Sequence, residues 1–413
     1  MIKKTKQILQ TLFTEHFNDY RKRHKQPLKN IKAAEAIINC RTSQNGSTAY
    51  HCPDGHEKID IPHACKHRSC PQCAAKSIKQ WIDKQKQRLL PCEHYHLVFT
   101  LPHEYLGLWQ YNRAWFIQTQ FNTCRDVLME MLGDKKHLGA KPGILLALHT
   151  WGRQLNLHPH IHALVTAGGL TPEEQWQPVK NNFLLPVRAV KSYYRGKFQA
   201  RIKQALKDKT LILPPDQTEA NVQQLIKRLY KKQWSVRIEE KYSHGKGILL
   251  YLSRYLRGGP IKAQQIRGMD SQQIRFSYKD HREKRQKILN LSIDEFMRRI
   301  LMHIPEPKIH TLRHYGLYAS QAETARETCR NQLQTQGQGA TEEDNLLKES
   351  RFQVLCRHCG AIMLAGMSSH KRRPDENSYN KGTTRIITSL TPLIGERFVQ
   401  QGVQAEPANV ASG

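Results

Sequence analysis

A chain of 413 residues is long enough for two or three domains and for at least one core that needs no disulfide support. Its formal charge of +30, from 65 Lys and Arg against 35 Asp and Glu, makes nucleic acid the natural partner, because such a surface repels itself unless a polyanion is near. No apolar run approaches the roughly 20 residues that span a bilayer, which leaves a basic membrane-surface or ribosome-associated protein as the alternative open to composition.

The N-terminal segment alternates charge with Ile8, Leu9, Leu12, Phe13 and Phe17, the pattern of an amphipathic helix rather than a signal peptide. Cysteine and histidine are densest between Cys40 and Cys73. Clustering in Cys-x-x-Cys pairs rather than as a spread framework favours metal binding in a reducing cytoplasm. Cys70-Pro71-Gln72-Cys73 forms the turn that lets two thiolates face one zinc ion, with Cys65 just upstream. The preferred ligand set is Cys52, Cys65, Cys70 and Cys73, with His56 and Cys40 as alternates and His51, His63 and His67 also within the region. Lys66, Arg68 and Lys76 place positive charge on this module, consistent with DNA recognition. A charged helical stretch from Ala74 to Leu90 closes it.

From Pro91 to about Gly316, short apolar runs alternate with helical patterns, the signature of one α/β or α+β domain. His94 to Leu101, Gly143 to Thr150 and His158 to Thr166 read as strands. In the last, alternate side chains share a face, so His160 and His162 project together while Ile161 and Ala163 point away. His149 lies late in the preceding strand, and antiparallel pairing through a short connection would bring it to the same place. One such histidine alone is a polar residue on a half-exposed strand. Three converging imidazoles are a candidate centre for a divalent ion, and ligand type does not fix which: imidazole suits zinc, copper, iron and manganese, while phosphate oxygens from bound DNA would complete a magnesium or manganese shell.

Tyr193, Tyr194 and Arg195 offer aromatic and basic groups for single-stranded DNA, although a solvated surface turn is the simpler reading. Further on, Tyr251-Leu252-Ser253-Arg254-Tyr255-Leu256-Arg257 places two phenols on one helix face, their β-carbons about 5–6 Å apart. Taken alone this is a helix whose tyrosines fill a core. Beside a cation, with Arg254 or Arg257 close by, a phenol of ordinary pKa about 10 is shifted toward the nucleophilic phenolate. Leu291 to His303 carries Ile293, Phe296, Met297, Ile300 and Leu301 at helical spacing, with Ser292 as N-cap. Gln332 to Ala340 reads as a linker, Cys356-Arg357-His358-Cys359 as a further pair with metal-ligand spacing, and the residues after Tyr379 as a loosely ordered tail.

His160-Ile161-His162 resembles the histidine–hydrophobic–histidine motif of the HUH endonucleases, which include rolling-circle replication initiators, conjugative relaxases and certain transposases. The wider sequence is similar to the two-tyrosine HUH transposases of the insertion-sequence ninety-one type. Besides the histidine strand and the tyrosine pair, the similar stretches are His96-Leu97-Val98-Phe99-Thr100-Leu101-Pro102, His149-Thr150-Trp151-Gly152, Phe276-Ser277-Tyr278-Lys279-Asp280, Glu295-Phe296-Met297-Arg298-Arg299 and Arg313-His314-Tyr315-Gly316. Where relatives begin the cysteine region with Cys-x-x-Cys, this chain has Cys52-Pro53-Asp54-Gly55-His56.

The resemblance implies an α+β fold, an HUH endonuclease domain made of an antiparallel sheet flanked by helices and preceded by a small zinc-binding module. The expected organisation is an N-terminal amphipathic helix at 1–34, a zinc-binding DNA-recognition module at 35–90, the catalytic domain at 91–320, and a linker with the second cysteine pair and polar tail at 321–413. It also implies His149, His160 and His162 as ligands of Mg2+ or Mn2+, Tyr251 and Tyr255 as nucleophiles that leave a 5′-phosphotyrosine, Zn2+ in the cysteine module, and Arg68, Arg254 and Arg257 on DNA. Single-stranded and double-stranded DNA at element ends and target, and host helicase and replication machinery, are the implied partners of a cytoplasmic, nucleoid-associated enzyme with no membrane role. No G-x-x-x-x-G-K-[ST] sequence occurs, so strand separation would fall to the host. A replication initiator or relaxase would share this chemistry. A zinc-dependent DNA-binding protein without catalysis would share only the cysteine module.

Overall fold

A computed structural model describes residues 2–73, 85, 88–242, 260–280, 283–335 and 353–369. Met1–Lys371 form one unit and Arg372–Gly413 a second, none of whose residues is among those described. The Ala74 to Leu90 helical stretch, the tyrosine segment and the C-terminal tail therefore lie wholly or largely outside the described residues.

The chain opens with helices α1 (Ile2–Arg23) and α2 (Leu28–Ile38), divided at Pro27, which supplies the extended N-cap of the second. A hairpin of β1 (Ser47–His51) and β2 (Lys58–Pro62) follows. The strands expected near the histidines form as β3 (His94–Thr100), β4 (Lys141–Trp151) and β5 (Leu157–Leu170), with helices α3 (Leu106–Tyr111) and α4 (Arg113–Gly133) between the first two. Next come β6 (Trp176–Pro178), α5 (Val187–Lys207), α6 (Glu219–Lys231) and β7 (Val236–Tyr242). Beyond Pro260 the chain forms β8 (Ile266–Met269), β9 (Gln273–Lys279), β10 (Gln286–Ser292), α7 (Ile293–Met302), β11 (Leu312–Gly316), α8 (Glu323–Thr335) and β12 (Leu364–Ser368).

The central sheet has the order β11-β4-β5-β3-β7, with β6 beside the end of β5, and its pairs are antiparallel. Strand alternation divides its residues between two faces. Ile144, Leu146, Leu148, Ile161, Ala163, Val165, Leu97 and Phe99 belong to the core that also holds Phe121 and Leu128 of α4 and Phe198 and Ile202 of α5. On the opposite face, Leu145, Ala147 and Leu164 pack with Leu317, Tyr318, Cys329 and Leu333. A third core joins Leu12, Phe13 and Phe17 of α1 to Phe276 of β9 and to Phe296, Met297 and Ile300 of α7. This is the helical face that the sequence marks out, and Ser292 caps α7 by accepting from the Glu295 amide at 3.3 Å.

Two expectations need correction. The linker expected from Gln332 is helical through Thr335, because Cys329 and Leu333 of α8 are buried and the Gln332 side chain accepts from the Trp176 amide at 2.7 Å. Tyr194 sits on α5 rather than on a surface turn and is fully buried, its ring edge-on to Trp234 at 5.4 Å. It cannot stack on DNA. Among the described residues no helix is long and apolar enough to cross a membrane.

Candidate active site

The histidine centre is a product of strand register. His149 of β4 stands directly opposite His160 of β5, and His162 stands between Ala147 on one side and Val98 of β3 on the other. Opposed residues of an antiparallel pair share a face, so the three imidazoles meet on the side of the sheet away from α4 and α5. The small Ala147 leaves His162 its space. Ring centroids lie 4.2 Å apart for His149 and His162, 4.9 Å for His160 and His162, and 5.2 Å for His149 and His160. One ring nitrogen from each falls within 4.8 Å of the others, close enough for a single ion.

Hydrogen bonds select which nitrogens face that ion. His160 Nδ1 donates to the His158 carbonyl at 2.6 Å, leaving Nε2 with its lone pair. His162 Nδ1 lies 2.8 Å from His96 Nε2, and the two rings stack within 11° of parallel. Nε2 of His162 is therefore the one turned to the cluster. Burial pushes His160 down to about 4 and holds His149 and His162 well below the ordinary histidine value, the neighbouring imidazoles adding to the effect. Neutral imidazole is the ligand form. Three nitrogen donors with no carboxylate fit a divalent ion that keeps open positions for oxygen ligands.

His96 escaped the sequence reading as a site residue. The signal was present: His94-x-His96 on β3 repeats the alternation of His160-x-His162 on its neighbour. His94 does something else, with Nε2 2.5 Å from the buried Tyr318 hydroxyl. Trp151 was also missed; two residues beyond His149 on the same strand, it stacks on that ring at 5.0 Å and 14°. Trp151 lines a cleft with Arg68, Thr150, Pro260 and His303. Arg68 there donates to the Thr311 hydroxyl at 2.7 Å. Tyr251, Tyr255, Arg254 and Arg257 lie outside the described residues, between Tyr242, the end of β7, and Pro260.

The cysteines separate into two groups. Cys40, Cys65, Cys70 and Cys73 bring their sulfurs within 4.8 Å of one another. Cys73 Sγ is 3.5 Å from Cys40 Sγ and 3.6 Å from Cys65 Sγ. Those separations are far longer than a disulfide of about 2.05 Å and near the roughly 3.8 Å between sulfurs held tetrahedrally at about 2.3 Å from zinc. Cys52 is not among them, which corrects the set preferred from sequence. It ends the β1–β2 hairpin at the turn, where His51 pairs with Lys58, whereas Cys40 and Cys65 flank the open end, where Ser47 pairs with Pro62. Five extended residues carry it about 17 Å away. His56 is grouped instead with Cys52, Cys356 and Cys359. His67 Nδ1 accepts from the Ser69 amide at 3.2 Å, and His63 Nε2 lies 2.9 Å from the Thr48 hydroxyl.

Residues 143–326 match a family model described as "Putative transposase", and residues 12–101 match one described as "Transposase zinc-binding domain". The chain is 31% identical over 313 residues to "Putative transposase y4qJ" of Sinorhizobium fredii, covering 74% of this chain and 78% of that protein. It is 31% identical over 305 residues to "Transposase for insertion sequence element IS801" of Pseudomonas savastanoi pv. phaseolicola, covering 70% of each. The first matched span contains the three histidines, and the second contains Cys40, Cys52, Cys65, Cys70 and Cys73.

Proposed function

Because the chain belongs to the IS91/IS801-type family of transposases, we propose that it nicks and rejoins single-stranded DNA through a 5′-phosphotyrosine intermediate during rolling-circle transposition. The observation that carries this reading is the convergence of His149, His160 and His162, held neutral, with His149 and His162 buried and His160 partly so, on one face of the central sheet. His149, His160 and His162 would hold Mg2+ or Mn2+, which would supply Lewis acidity toward a phosphoryl oxygen and offset negative charge at the scissile phosphate. Oxygen donors, which these ions favour, would come from the DNA and from water.

Tyr251 or Tyr255 is the nucleophile in this scheme. Its phenolate oxygen bonds to phosphorus, the bond from phosphorus to the 3′-oxygen breaks, and that oxygen leaves with the electron pair and takes up a proton. The new ester keeps the phosphodiester bond energy, so rejoining needs no ATP. Arg254 and Arg257 favour the phenolate and hold the backbone.

Zn2+ held by Cys40, Cys65, Cys70 and Cys73 would order a DNA-recognition module over 35–90, carrying Arg68, ahead of a catalytic domain over 91–320. The partners are single-stranded and double-stranded DNA at element ends and target, with a host helicase supplying strand separation in the cytoplasm at the nucleoid. The test is incubation of the full chain with labelled single-stranded oligonucleotides from flanking DNA and Mn2+. A protein–DNA adduct that survives denaturant, whose linked peptide contains Tyr251 or Tyr255 and which is lost in Tyr251→Phe/Tyr255→Phe, is expected. If that double variant keeps every DNA activity of the parent, the chain is a DNA-binding protein without this chemistry.

A further inference from the structure

Near the C-terminal end of the described chain, Cys356-Arg357-His358-Cys359 folds as a tight knuckle against the tip of the β1–β2 hairpin. Its Gly360 amide donates to the Cys356 carbonyl at 2.9 Å, with Gly360 at φ 74°; in the opposing turn the Gly55 amide donates to the Cys52 carbonyl at 3.0 Å, with Gly55 at φ 79°. The left-handed backbone at both positions is one that glycine adopts without a β-carbon penalty. The two turns bring together Cys52, His56, Cys356 and Cys359, with one ligand atom from each inside 4.8 Å. Cys52 Sγ is 3.5 Å from Cys359 Sγ and 3.5 Å from His56 Nδ1. Around one tetrahedral zinc, sulfur–sulfur edges are roughly 3.8 Å and sulfur–nitrogen edges roughly 3.5 Å. The His358 amide also points at Cys356 Sγ from 3.4 Å, as the His67 amide points at Cys65 Sγ from 3.4 Å in the other cysteine group.

We propose that Cys52, His56, Cys356 and Cys359 form a second structural zinc site, a clasp that fastens the C-terminal segment to the N-terminal hairpin. Neither matched family span, 12–101 nor 143–326, reaches Cys356. The departure from Cys-x-x-Cys at Cys52 is the complement of this arrangement: His56 supplies the donor on one strand turn and the knuckle supplies two thiolates from the other.

The need for a metal here is physical. β12 pairs with β1, but every residue of β12 is exposed, and no residue of β1 or β2 is fully buried. Among the described residues the local core is Cys52, Val354, Cys356 and Met363, with Tyr50, Ile59 and Ile61 against it. Three short strands over so small a core lack the apolar burial to stand alone, and a bound metal makes up the difference. The clasp would close a loop from Cys52 to Cys359, and with the Cys40 group it would pin both ends of one hairpin.

The experiment uses full-length protein purified under reducing conditions, with zinc per chain counted by native mass spectrometry and ligands read from cobalt substitution. Cys356→Ser/Cys359→Ser should lose one zinc per chain and keep the one lost in Cys65→Ser/Cys73→Ser. His56→Cys should keep the count and move the cobalt spectrum toward an added thiolate. The imidazole centre gives no thiolate charge-transfer band, so cobalt separates it from the clasp, and neither readout depends on DNA cleavage. An unchanged count in the knuckle variant, or an unchanged cobalt spectrum in His56→Cys, overturns the proposal. Should the double-serine chain aggregate, the His56→Cys spectrum decides alone.

Discussion

Replacing His96 tests whether the imidazole centre is organised from behind. His96 is 2% exposed, and burial together with the Arg237 charge pushes it down to about 4, so it is neutral. An ion on Nε2 of His162 requires the proton on Nδ1, which then donates to His96 Nε2 across 2.8 Å. His96→Phe removes that acceptor and keeps a ring of similar size. Loss of such an outer partner costs about 10–100-fold in metal affinity, or roughly 1.4–2.7 kcal/mol. Mn2+ titrated into zinc-loaded protein and followed by electron paramagnetic resonance should show half-saturation rising by that factor. Adduct yield should recover at saturating Mn2+, and His96→Gln, whose amide oxygen can accept, should regain part of the loss. Half-saturation unchanged in His96→Phe, or an equal loss of adduct at every Mn2+ concentration, refutes a positioning role.

Acid should destabilise the chain through its buried histidines. His303 is pushed down to about 4 by burial, so below its unfolded value of about 6.5 the unfolded state binds more protons; the stability it contributes is full above pH 6.5 and is lost as pH falls toward 4. The expected loss between pH 7 and pH 4.5 is about 2.4 kcal/mol, and urea denaturation at those two pH values should show a smaller pH difference in His303→Gln; equal differences refute it. Gly316→Ala should cost more than the roughly 1–2 kcal/mol of a left-handed alanine, because at φ 59° its β-carbon would lie 1.9 Å from the Pro142 carbonyl oxygen; a melting temperature within a degree of the parent argues against this packing of β11 on β4.

The parts of the site legible in the sequence obey local periodicity. His160 and His162 announce a shared face because strands alternate, and His149 follows once β4 and β5 are taken as an antiparallel pair. The amphipathic face of α7 and its Ser292 cap are equally local. Partner choice among cysteines is different in kind. Cys52 is 13 residues from Cys65 in sequence but is separated from it by the length of a hairpin, while the Cys359 sulfur, 307 residues away, lies 3.5 Å from its own. Spacing alone cannot separate these cases, because chain distance ceases to measure space once a strand reverses. Tyr194 fails for a related reason: its neighbours Tyr193 and Arg195 read as polar surface, while the helix turns Tyr194 alone toward Phe198 and Trp234.

The turn between β4 and β5 shows how a local motif depends on distant packing. His149 and His160 face each other only while residues 152–156 keep their shape, and Leu155 sits there at φ 62°, a conformation costly for a branched side chain. Within the turn the Leu155 amide donates to the Gly152 carbonyl at 3.0 Å and the Gly152 amide to the Asn156 carbonyl at 2.8 Å. Leu155 is also buried in the core that α1, β9 and α7 build, and its carbonyl lies 2.9 Å from His303 Nε2. Arg299 of α7 donates to the Gln154 carbonyl at 2.8 Å, and Arg153 donates to that of Lys279 in β9 at 2.9 Å. The same core includes Cys40, Cys70 and Cys73. The core that receives the turn setting the histidine register therefore also takes in the cysteine group, so ordering one supports the geometry of the other.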